Sequence, residues 1–366
     1  MIYDACIIGG GLAGLALSID LAGRGFSVVV IEKGNYPRHK VCGEYVSMES
    51  YDYLLKICPS LKTVNFPFVN KFQLSSTGKK VFNTPLSLGG FGISRYLLEQ
   101  LLYEKAKQVG VTFHLGTKAR RVFQDTHLKR YSVSIASQEL FSRLVFTSTG
   151  RRADERRKGA SYVGVKYHVR LERDESLIEI HNFPGGYAGI SNVEEGKACF
   201  CYIINAQCIK GSNKSIGEAE KKYLYRNARL KEIVRSSEFL FKEPVTVSGI
   251  NFNIRETVAD GSLILGDAAG SIAPITGNGM SMGLRAACML SKFASEYFTG
   301  IISEAELRKK YSNYWKDEFE SRIKLSRYFQ KLSEKPLLSN VAIRVFSACR
   351  PLARAAISLT HGQPFL

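Results

Sequence analysis

The sequence predicts a protein of the α/β class, and three observations lead to that prediction. The first forty residues combine two short apolar runs with a glycine-rich turn and a helical spacing of apolar residues. Short strand-like segments then follow one another between residues 71 and 204. Residues 303–345 are rich in helix formers. A length of 366 residues allows about two domains.

The overall composition excludes several classes of protein. Hydrophobic residues make up 45% of the chain and charged residues 23%, an ordinary globular mixture, so a disulfide-stapled scaffold, a coiled coil and a fibrous repeat are excluded. The 51 Lys and Arg residues exceed the 33 Asp and Glu residues, which gives a formal net charge of +18 and favours anionic partners. Because no basic stripe alternates with stacking aromatics, we expect no nucleic acid partner.

The cysteines and the N-terminal residues indicate a reducing compartment. Eight cysteines are too sparse for a disulfide framework, and no set has metal-ligand spacing, so we expect no metal. The opening residues lack the basic segment of a signal peptide and contain Asp4 and Asp20. No apolar run reaches the roughly 18 residues of a membrane-spanning helix. We therefore expect a cytoplasmic protein that is soluble, or at most peripheral to the inner face of a membrane.

The first predicted element is a dinucleotide-binding unit of strand, turn, helix and strand. Residues 2–8 and 27–31 have the apolar pattern of buried parallel strands, and residues 12–21 have helical apolar spacing. Glu32 directly follows the second strand. The turn matches G-x-G-x-x-G through Gly9, Gly11 and Gly14.

Each part of this unit has a physical task in binding a nucleotide. The first glycine permits a tight turn, the second lets the backbone approach a pyrophosphate, and the third lets the helix pack closely on the strand. The helix N-terminus offers N–H groups and a positive dipole to phosphates. Glu32 can accept hydrogen bonds from a ribose hydroxyl and disfavours a 2′-phosphate, so NADP is not expected at this site. The unit by itself does not distinguish FAD from NAD.

A second glycine-rich segment lies about 250 residues downstream. Residues 262–265 read as a strand, and the sequence GDAAGSIAPITGNGMSMGLRAA then leads into a helix from Met280 towards Leu290. With the first unit, this segment resembles the FAD-dependent oxidoreductases of the p-hydroxybenzoate hydroxylase class, a superfamily that includes aromatic hydroxylases, geranylgeranyl reductases and flavin-dependent halogenases. The resemblance implies that Asp267 contacts the ribityl chain of FAD. It also places residues 277–279 at the flavin pyrimidine edge, where a helix N-terminus stabilises negative charge.

Two further segments carry the same resemblance. Residues 92–99 resemble the helix-opening Arg-x-x-Leu-Asp pattern of the family, with Glu99 in place of Asp, which implies that Arg95 reaches the phosphate or ribose of FAD; an ordinary surface arginine is the alternative. Residues 38–44 resemble the Cys-Gly segment of the geranylgeranyl reductase branch, which lies beside the flavin; the alternative is a basic surface loop with a buried cysteine.

These motifs give a set of candidate site residues. The expected cofactor contacts are Gly9, Gly11, Leu12, Ala13, Gly14, Glu32, Lys33, Arg38, Cys42, Arg95, Gly266, Asp267, Pro274, Gly277, Asn278, Gly279 and Met280. No dedicated catalytic residue stands out. The candidates for a position beside the flavin are Cys42, Gly43 and Asn278.

The resemblance also implies an architecture. We expect a Rossmann-like FAD-binding domain, discontinuous in sequence (1–60, 92–160 and 245–300), with an inserted antiparallel β-sheet domain for the substrate (61–91 and 161–244) and a C-terminal helical region (301–366). The segments that suit the antiparallel sheet are 71–75, 162–169, 177–182, 187–193 and 198–204. The basic and apolar residues of 341–359 suit either a helix packed over the substrate domain or an amphipathic patch that contacts a membrane or a carrier protein.

The resemblance predicts an FAD-dependent oxidoreductase, and we expect a monooxygenase that acts on an aromatic, polyketide-like or lipophilic small molecule. The alternative is a geranylgeranyl-reductase-like enzyme that saturates C=C bonds of a lipid. The Cys42-Gly43-Glu44 segment favours it, whereas residues 187–191 keep only the Tyr of that branch's Tyr-x-Trp-x-Phe-Pro segment. A halogenase is disfavoured because Trp315 is the only tryptophan. A flavin-binding interaction protein without turnover is the alternative from another functional class.

The electron donor is left open among NADH, NADPH and a reduced protein partner. Thr149-Gly150 stands where hydroxylases usually have Asp-Gly, a motif associated with nicotinamide handling, so direct use of NAD(P)H is in doubt. The identity of the small-molecule substrate and the oligomeric state are not encoded in any recognisable pattern.

Overall fold

Two β-sheets of different character organise the chain in the computed structural model, which describes residues 1–78, 80–125, 127–128, 130–136, 138–150 and 162–366. The strands are β1 (Ile2–Ile8), β2 (Val28–Ile31), β3 (Tyr45–Ser47), β4 (Phe68–Ser75), β5 (Val81–Gly92), β6 (Thr112–His114), β7 (Arg121–Asp125), β8 (Arg130–Ser134), β9 (Glu139–Thr147), β10 (Tyr162–Arg170), β11 (Leu177–Phe183), β12 (Gly186–Val193), β13 (Lys197–Asn205), β14 (Glu238–Phe239), β15 (Val245–Ile250), β16 (Val258–Ala259) and β17 (Ser262–Ile264).

The helices lie mainly at the two ends of the chain. They are α1 (Leu12–Gly23), α2 (Tyr51–Ile57), α3 (Arg95–Gln108), α4 (Ala206–Lys210), α5 (Ile216–Lys222), α6 (Ala228–Ser236), α7 (Gly279–Phe298), α8 (Glu304–Ser333), α9 (Pro336–Ala348) and α10 (Arg350–Ser358). The predicted mixture of a parallel-strand unit, a large second sheet and C-terminal helices is confirmed.

The first sheet carries the predicted dinucleotide-binding unit. Its strand order is β16-β17-β9-β1-β2-β6, and the β7–β8 hairpin extends it from β9. β1 is parallel to both β2 and β9, and β9 is parallel to β17. Every residue of β2 is buried, as expected for a strand covered on both faces. Apolar residues of α1, α3, α7 and α8 form the main core with this sheet.

The second sheet has the order β14-β10-β13-β12-β11-β4-β5-β3, with β15 also paired to β10. One of its faces packs on α5 and α6 through residues such as Val165, Phe200 and Tyr202. The opposite face of β10, β12 and β13 carries His168, Cys199 and Ser191, which are register partners. This second face meets the loop that leads into β3.

Two details of the second sheet differ from the prediction. The pairing of β4 with β11 is parallel, not antiparallel, because a long connection and not a tight hairpin joins them. The strand β5 was not predicted, since Pro85 and three nearby glycines give it the composition of a loop. The strands β3 and β15 also join this sheet. The boundaries of the proposed domains stay a prediction.

The C-terminal helices cover the first sheet and then turn towards the second. Helix α8 begins with a capping box of Ser303 and Glu306 and packs against α7. Helix α9 follows and packs on β5 and β11. Within the described residues, no helix is both long enough and apolar enough to cross a bilayer.

Candidate functional site

The two glycine-rich segments lie side by side in the structure. Because β9 separates β1 from β17 in a parallel arrangement, the turns that follow these two strands leave the same edge of the sheet. A Cβ atom on Gly266 would lie 3.5 Å from the Cβ of Ala13, and a Cβ atom on Gly283 would lie 3.4 Å from it. Residues 266, 267, 279 and 283 line one small cleft. Segments about 250 residues apart therefore build one site.

The glycines of the first turn differ in what surrounds them. Gly9 has a φ of +105°, and a Cβ there would overlap the carbonyl oxygen of Ser148. A Cβ on Gly14 would overlap the carbonyl oxygen of Gly9, so helix and strand approach closely at this point. At Gly11 the nearest atom to an added Cβ would be the Lys40 Nζ, 3.6 Å away. The protein itself thus leaves space at Gly11, next to a cation.

Two helices present open N-termini to this region. Helix α1 starts after Gly11 and α7 starts after Asn278, and neither has a side-chain cap or an acid in its first turn. By contrast, Ser94 caps α3 and Ser303 caps α8. The free N–H groups and positive dipoles of α1 and α7 suit a phosphate and a flavin carbonyl oxygen. Leu12 and Ala13 begin α1, Gly279 and Met280 begin α7, and Pro274 opens the short 3₁₀ turn before Gly277.

Glu32 lies at the end of β2, where the sequence predicts a ribose contact. Its carboxylate accepts hydrogen bonds from the backbone N–H groups of Gly10 (2.7 Å) and Gly34 (2.9 Å), and it pairs with Arg38 at 2.8 Å. Burial raises the pKa of Glu32, but the Arg38 interaction and the two backbone hydrogen bonds outweigh it, so the pKa lies below its usual value. Glu32 is therefore an anion, as a ribose acceptor requires. Lys33 is exposed beside it.

Three cations surround one buried carboxylate near Gly11. Lys40 Nζ lies 3.0 Å from Glu99 Oε1, Arg38 Nε lies 4.0 Å from Glu99 Oε2, and Arg95 also pairs with Glu99. The Arg95 side chain is largely buried, and its Nε has no hydrogen-bond partner among the residues that the structure describes. This surplus of positive charge suits a pyrophosphate. Lys40 was not among the residues predicted from the sequence, although it lies inside the segment that carries the Cys-Gly resemblance.

Lys40 should make FAD uptake depend on pH. Burial first, and then the charge of Arg95, lower the pKa of Lys40 to about 8. A bound pyrophosphate would raise that pKa again, so binding takes up a proton as pH rises through 8. We expect the affinity of the apoprotein for FAD to fall by up to about tenfold per pH unit between pH 8 and pH 9.5. Flavin fluorescence titrations across this range measure the effect.

The matched control is Lys40→Met, which removes the titrating group but keeps an unbranched side chain. This variant should bind FAD more weakly at pH 7 and show a flat profile up to pH 9.5. A profile that falls as steeply in Lys40→Met as in the parent protein would assign the pH dependence to another group.

The segment with Cys42, Gly43 and Glu44 lies against the inner face of the second sheet. Cys199 Sγ donates to the Cys42 carbonyl (3.2 Å), and Ser191 Oγ donates to the Gly43 carbonyl (2.8 Å). Cys42 is half-buried and Gly43 is exposed. Two hydrogen bonds therefore hold the segment against the second sheet.

The same segment also reaches the second glycine-rich turn. A Cβ on Gly277, which has a φ of +70°, would lie 3.0 Å from the Tyr45 ring. The Tyr45 hydroxyl is buried and has no hydrogen-bond partner within the described ranges. The structure thus brings the loop before β3 and the turn before α7 together.

Glu44 connects this segment to β10 and to the start of α3. It was not predicted from the sequence as a site residue. Its carboxylate pairs with Lys166, accepts from the backbone N–H of Arg95 (2.7 Å), and lies 2.6 Å from His168 Nε2. Glu44 and Lys166 are fully buried. Burial raises the pKa of Glu44, but the His168 hydrogen bond and the Lys166 charge outweigh it, and the pKa lies below its usual value. No sequence spacing signals this cluster, because Glu44 lies more than 120 residues from both Lys166 and His168.

Glu44, His168 and Cys199 also bring three potential metal-ligand atoms within 4.8 Å of one another. The Lys166 ammonium already occupies the carboxylate, and a cation in its place would have to displace it. Burial raises the pKa of the Cys199 thiol well above its usual value, which disfavours the thiolate that a metal would bind. The group therefore has the chemistry of a buried ion pair.

Asn278 is tied to the C-terminal tail of the chain. Its Nδ2 donates to the carbonyl of Thr360, whereas its Oδ1 is buried without a partner among the described residues. Arg285, two turns further along α7, donates to the Gln363 carbonyl and pairs with Glu49 at 3.1 Å. The Asp267 side chain is half-buried. The tail thus lies against the open end of α7.

The residues present fit FAD. Two uncapped helix ends, an ionised carboxylate at the end of β2 and a cluster of cations match the flavin, ribose and pyrophosphate parts of the cofactor. Asn278, which precedes α7, and Arg95, which belongs to the cation cluster, each have a buried polar atom without a partner in the described part of the chain. The individual contacts of the predicted residues with FAD stay predictions.

Comparisons with known proteins agree with this chemistry. The family described as FAD dependent oxidoreductase matches residues 4–41. Digeranylgeranylglycerophospholipid reductase 2 of Methanopyrus kandleri is 25% identical, over 92% of this chain and 89% of that protein. The flavin-dependent brominase Bmp2 superimposes with a TM-score of 0.80 at 18% identity, covering 98% of this chain and 93% of that one. Pseudomonas aeruginosa PqsL gives a TM-score of 0.73 at 17% identity, with 95% and 100% covered. These two structures support the fold.

Proposed function

We propose that this chain, an FAD-dependent oxidoreductase of the superfamily that contains geranylgeranyl reductases, flavin monooxygenases and flavin halogenases, reduces C=C bonds of an isoprenoid lipid. The observation that carries the choice is the Cys42-Gly43 edge between the second sheet and α7. It is the segment that resembles the reductase branch, and the reductase of Methanopyrus kandleri matches over 92% of the chain.

Reduction of a C=C bond requires residues that hold the cofactor and a residue that donates a proton. When bound and reduced by the electron donor, the flavin would supply the hydride. The open ends of α1 and α7 and the cation cluster hold the cofactor in place, and Glu32 holds its ribose. Saturation of a C=C bond also needs a proton at the second carbon. The Cys42 Sγ–H is the proton-bearing group that the segment offers there, and Arg95 lies within hydrogen-bonding reach of it.

Anaerobic turnover tests this proposal. The holoenzyme is reduced with dithionite without oxygen and mixed with digeranylgeranylglycerophospholipid dispersed in detergent. We expect the flavin to be reoxidised and the lipid to gain two hydrogens for each double bond reduced, as seen by absorbance and mass spectrometry. Cys42→Ser should slow flavin reoxidation by about 10²-fold or more while leaving the FAD content unchanged.

The second candidate is the monooxygenase predicted from the sequence, and the fold shared with PqsL supports it. The same holoenzyme in air distinguishes the two reactions. A product that gains one oxygen atom, with oxygen consumed in proportion and no anaerobic reaction, would contradict the reductase proposal and establish the monooxygenase.

We extend the proposal to the donor and the location. Because Thr149-Gly150 replaces the Asp-Gly of hydroxylases, we propose a reduced protein as electron donor, to be compared with NADH and NADPH by anaerobic bleaching of the flavin. All eight cysteines are free thiols, which supports a cytoplasmic location.

A further inference from the structure

Helix α9 exposes apolar residues on the side that faces away from the protein. Leu337, Leu338, Val341 and Val345 are exposed, with exposed fractions of 81% at Leu337 and 55% at Val341. The opposite side of the helix buries Ser339 and Ile343 against the second sheet. Leu337, Val341 and Val345 recur every four residues, so they form one stripe.

A helix that is apolar on both sides is normally covered on both sides. Leu352 of α10, which packs beside α9, is 49% exposed and adds to the stripe. We call these residues the C-terminal apolar surface. Its members are Leu337, Leu338, Val341, Val345 and Leu352.

The charged side chains of residues 335–366, which carry the C-terminal apolar surface, are all positive. The exposed cations are Lys335, Arg344, Arg350 and Arg354. Residues 335–366 contain no Asp or Glu, and none of the four cations forms an ion pair within the described ranges. Arg344 belongs to the same helix turn as Val341, so its charged end can lie above the apolar stripe. An occupant of this surface must therefore combine negative charge with an apolar layer.

This surface is close in the chain to the proposed active site. Helix α10 ends at Ser358, and two residues later the Thr360 carbonyl accepts the hydrogen bond from Asn278. The tail then continues along α7 to Arg285. A molecule held at α9 and α10 thus lies close in the chain to the segment that contacts Asn278, the residue before α7.

We propose that the C-terminal apolar surface docks on an anionic lipid bilayer, from which the enzyme takes its lipid substrate. The apolar stripe enters the boundary between headgroups and acyl chains, and the four cations meet the anionic headgroups. A second copy of the chain fits poorly, because two such surfaces would bring only positive charges together. The proposal that this surface docks on a bilayer is argued from the exposed apolar residues and the cations. Only the uptake of a lipid substrate from the bilayer rests on the proposed function.

Vesicle flotation with the holoenzyme tests the docking. The vesicles contain phosphatidylcholine with about 30% phosphatidylglycerol, or phosphatidylcholine alone. We expect binding to the anionic vesicles, weaker binding to the neutral ones, and loss of binding between about 0.1 M and 1 M salt. The double variant Val341→Glu and Val345→Glu should bind at least tenfold more weakly, and Arg344→Glu with Arg354→Glu should lose about fivefold or more for each residue.

The matched control is Ile301→Glu, at an exposed apolar residue (73%) outside this surface, which should bind like the parent protein. Unchanged FAD content and far-UV circular dichroism in every variant establish that the fold is kept. Equal binding of parent and Val341/Val345 variant would overturn the proposal, and so would a parent dimer that this variant converts to a monomer without any vesicle binding.

The outcomes also separate this proposal from the proposed function. Vesicle binding without reduction of a prenyl lipid would overturn the reductase assignment and leave the docking surface standing. Reduction of detergent-dispersed lipid without vesicle binding would overturn the docking surface and leave the reductase assignment standing.

Discussion

Replacing Gly11 with valine is expected to abolish FAD binding while the fold remains intact. Among the residues that the structure describes, the only atom within 4 Å of an added Cβ at this position is the Lys40 Nζ, 3.6 Å away, so they leave room for the side chain. The pyrophosphate cannot, because it must approach the backbone of this turn. We expect the Kd for FAD to rise at least about 100-fold, which corresponds to about 2.7 kcal/mol. Fluorescence titration of the apoprotein measures the Kd.

Two further glycine variants make the interpretation specific. Gly23→Val, at the end of α1 where an added Cβ meets no atom within 4 Å, should keep both stability and FAD affinity. Gly14→Val should instead unfold the protein, since its Cβ would overlap the carbonyl oxygen of Gly9. A yellow Gly11→Val protein with an unchanged flavin spectrum would place the pyrophosphate elsewhere.

Removal of Glu44 is expected to destabilise the protein strongly. The variant Glu44→Ala leaves the Lys166 ammonium fully buried without its carboxylate and removes the acceptor of the Arg95 backbone N–H. Loss of one partner from a buried ion pair costs about 3–5 kcal/mol. We expect the free energy of unfolding to fall by that amount, measured by urea denaturation of the holoenzyme at a fixed excess of FAD. The milder Glu44→Gln should retain the fold if Glu44→Ala does not.

The double variant Glu44→Gln with Lys166→Met shows whether the loss of stability comes from the unpaired Lys166 charge or from the changed packing at Glu44. If the unpaired ammonium causes the loss, the double variant should be more stable than Glu44→Gln alone by about 1–2 kcal/mol. Asp174→Asn, which breaks an exposed ion pair with Lys71, is the control and should change stability by less than about 1 kcal/mol. A loss after Asp174→Asn as large as after Glu44→Ala would refute the argument from burial.

Local signals made the first sheet predictable from the sequence. β1, α1 and β2 lie within one or two residues of the predicted limits, because a glycine turn between two β-branched runs is a short-range pattern. The second glycine-rich segment was found in the same way. The prediction that both segments bind one flavin came from the resemblance to FAD-dependent oxidoreductases and not from the chemistry of the residues.

The parts that were missed depend on contacts between distant segments. β5 contains Pro85 among glycines, and only its partners β3 and β4 make it a strand. The pairing of β4 with β11 is parallel because a long connection joins the two strands, and no local sequence pattern indicates the direction in which that connection returns. Glu44, Lys166 and His168 give no signal either, because each is an ordinary polar residue until the sheet and the loop meet.

The order of strands in the first sheet has a consequence for biosynthesis. β1 leaves the ribosome early, but its neighbour β9 ends at residue 147 and the turn after β17 begins at residue 266. At 5–20 residues per second, the roughly 250 intervening residues take about 13–50 s to translate. During that interval the nascent chain carries only half of its nucleotide pocket. The flavin end of the predicted pocket is therefore completed late in synthesis, long after the pyrophosphate and ribose part around Gly11 and Glu32 has left the ribosome.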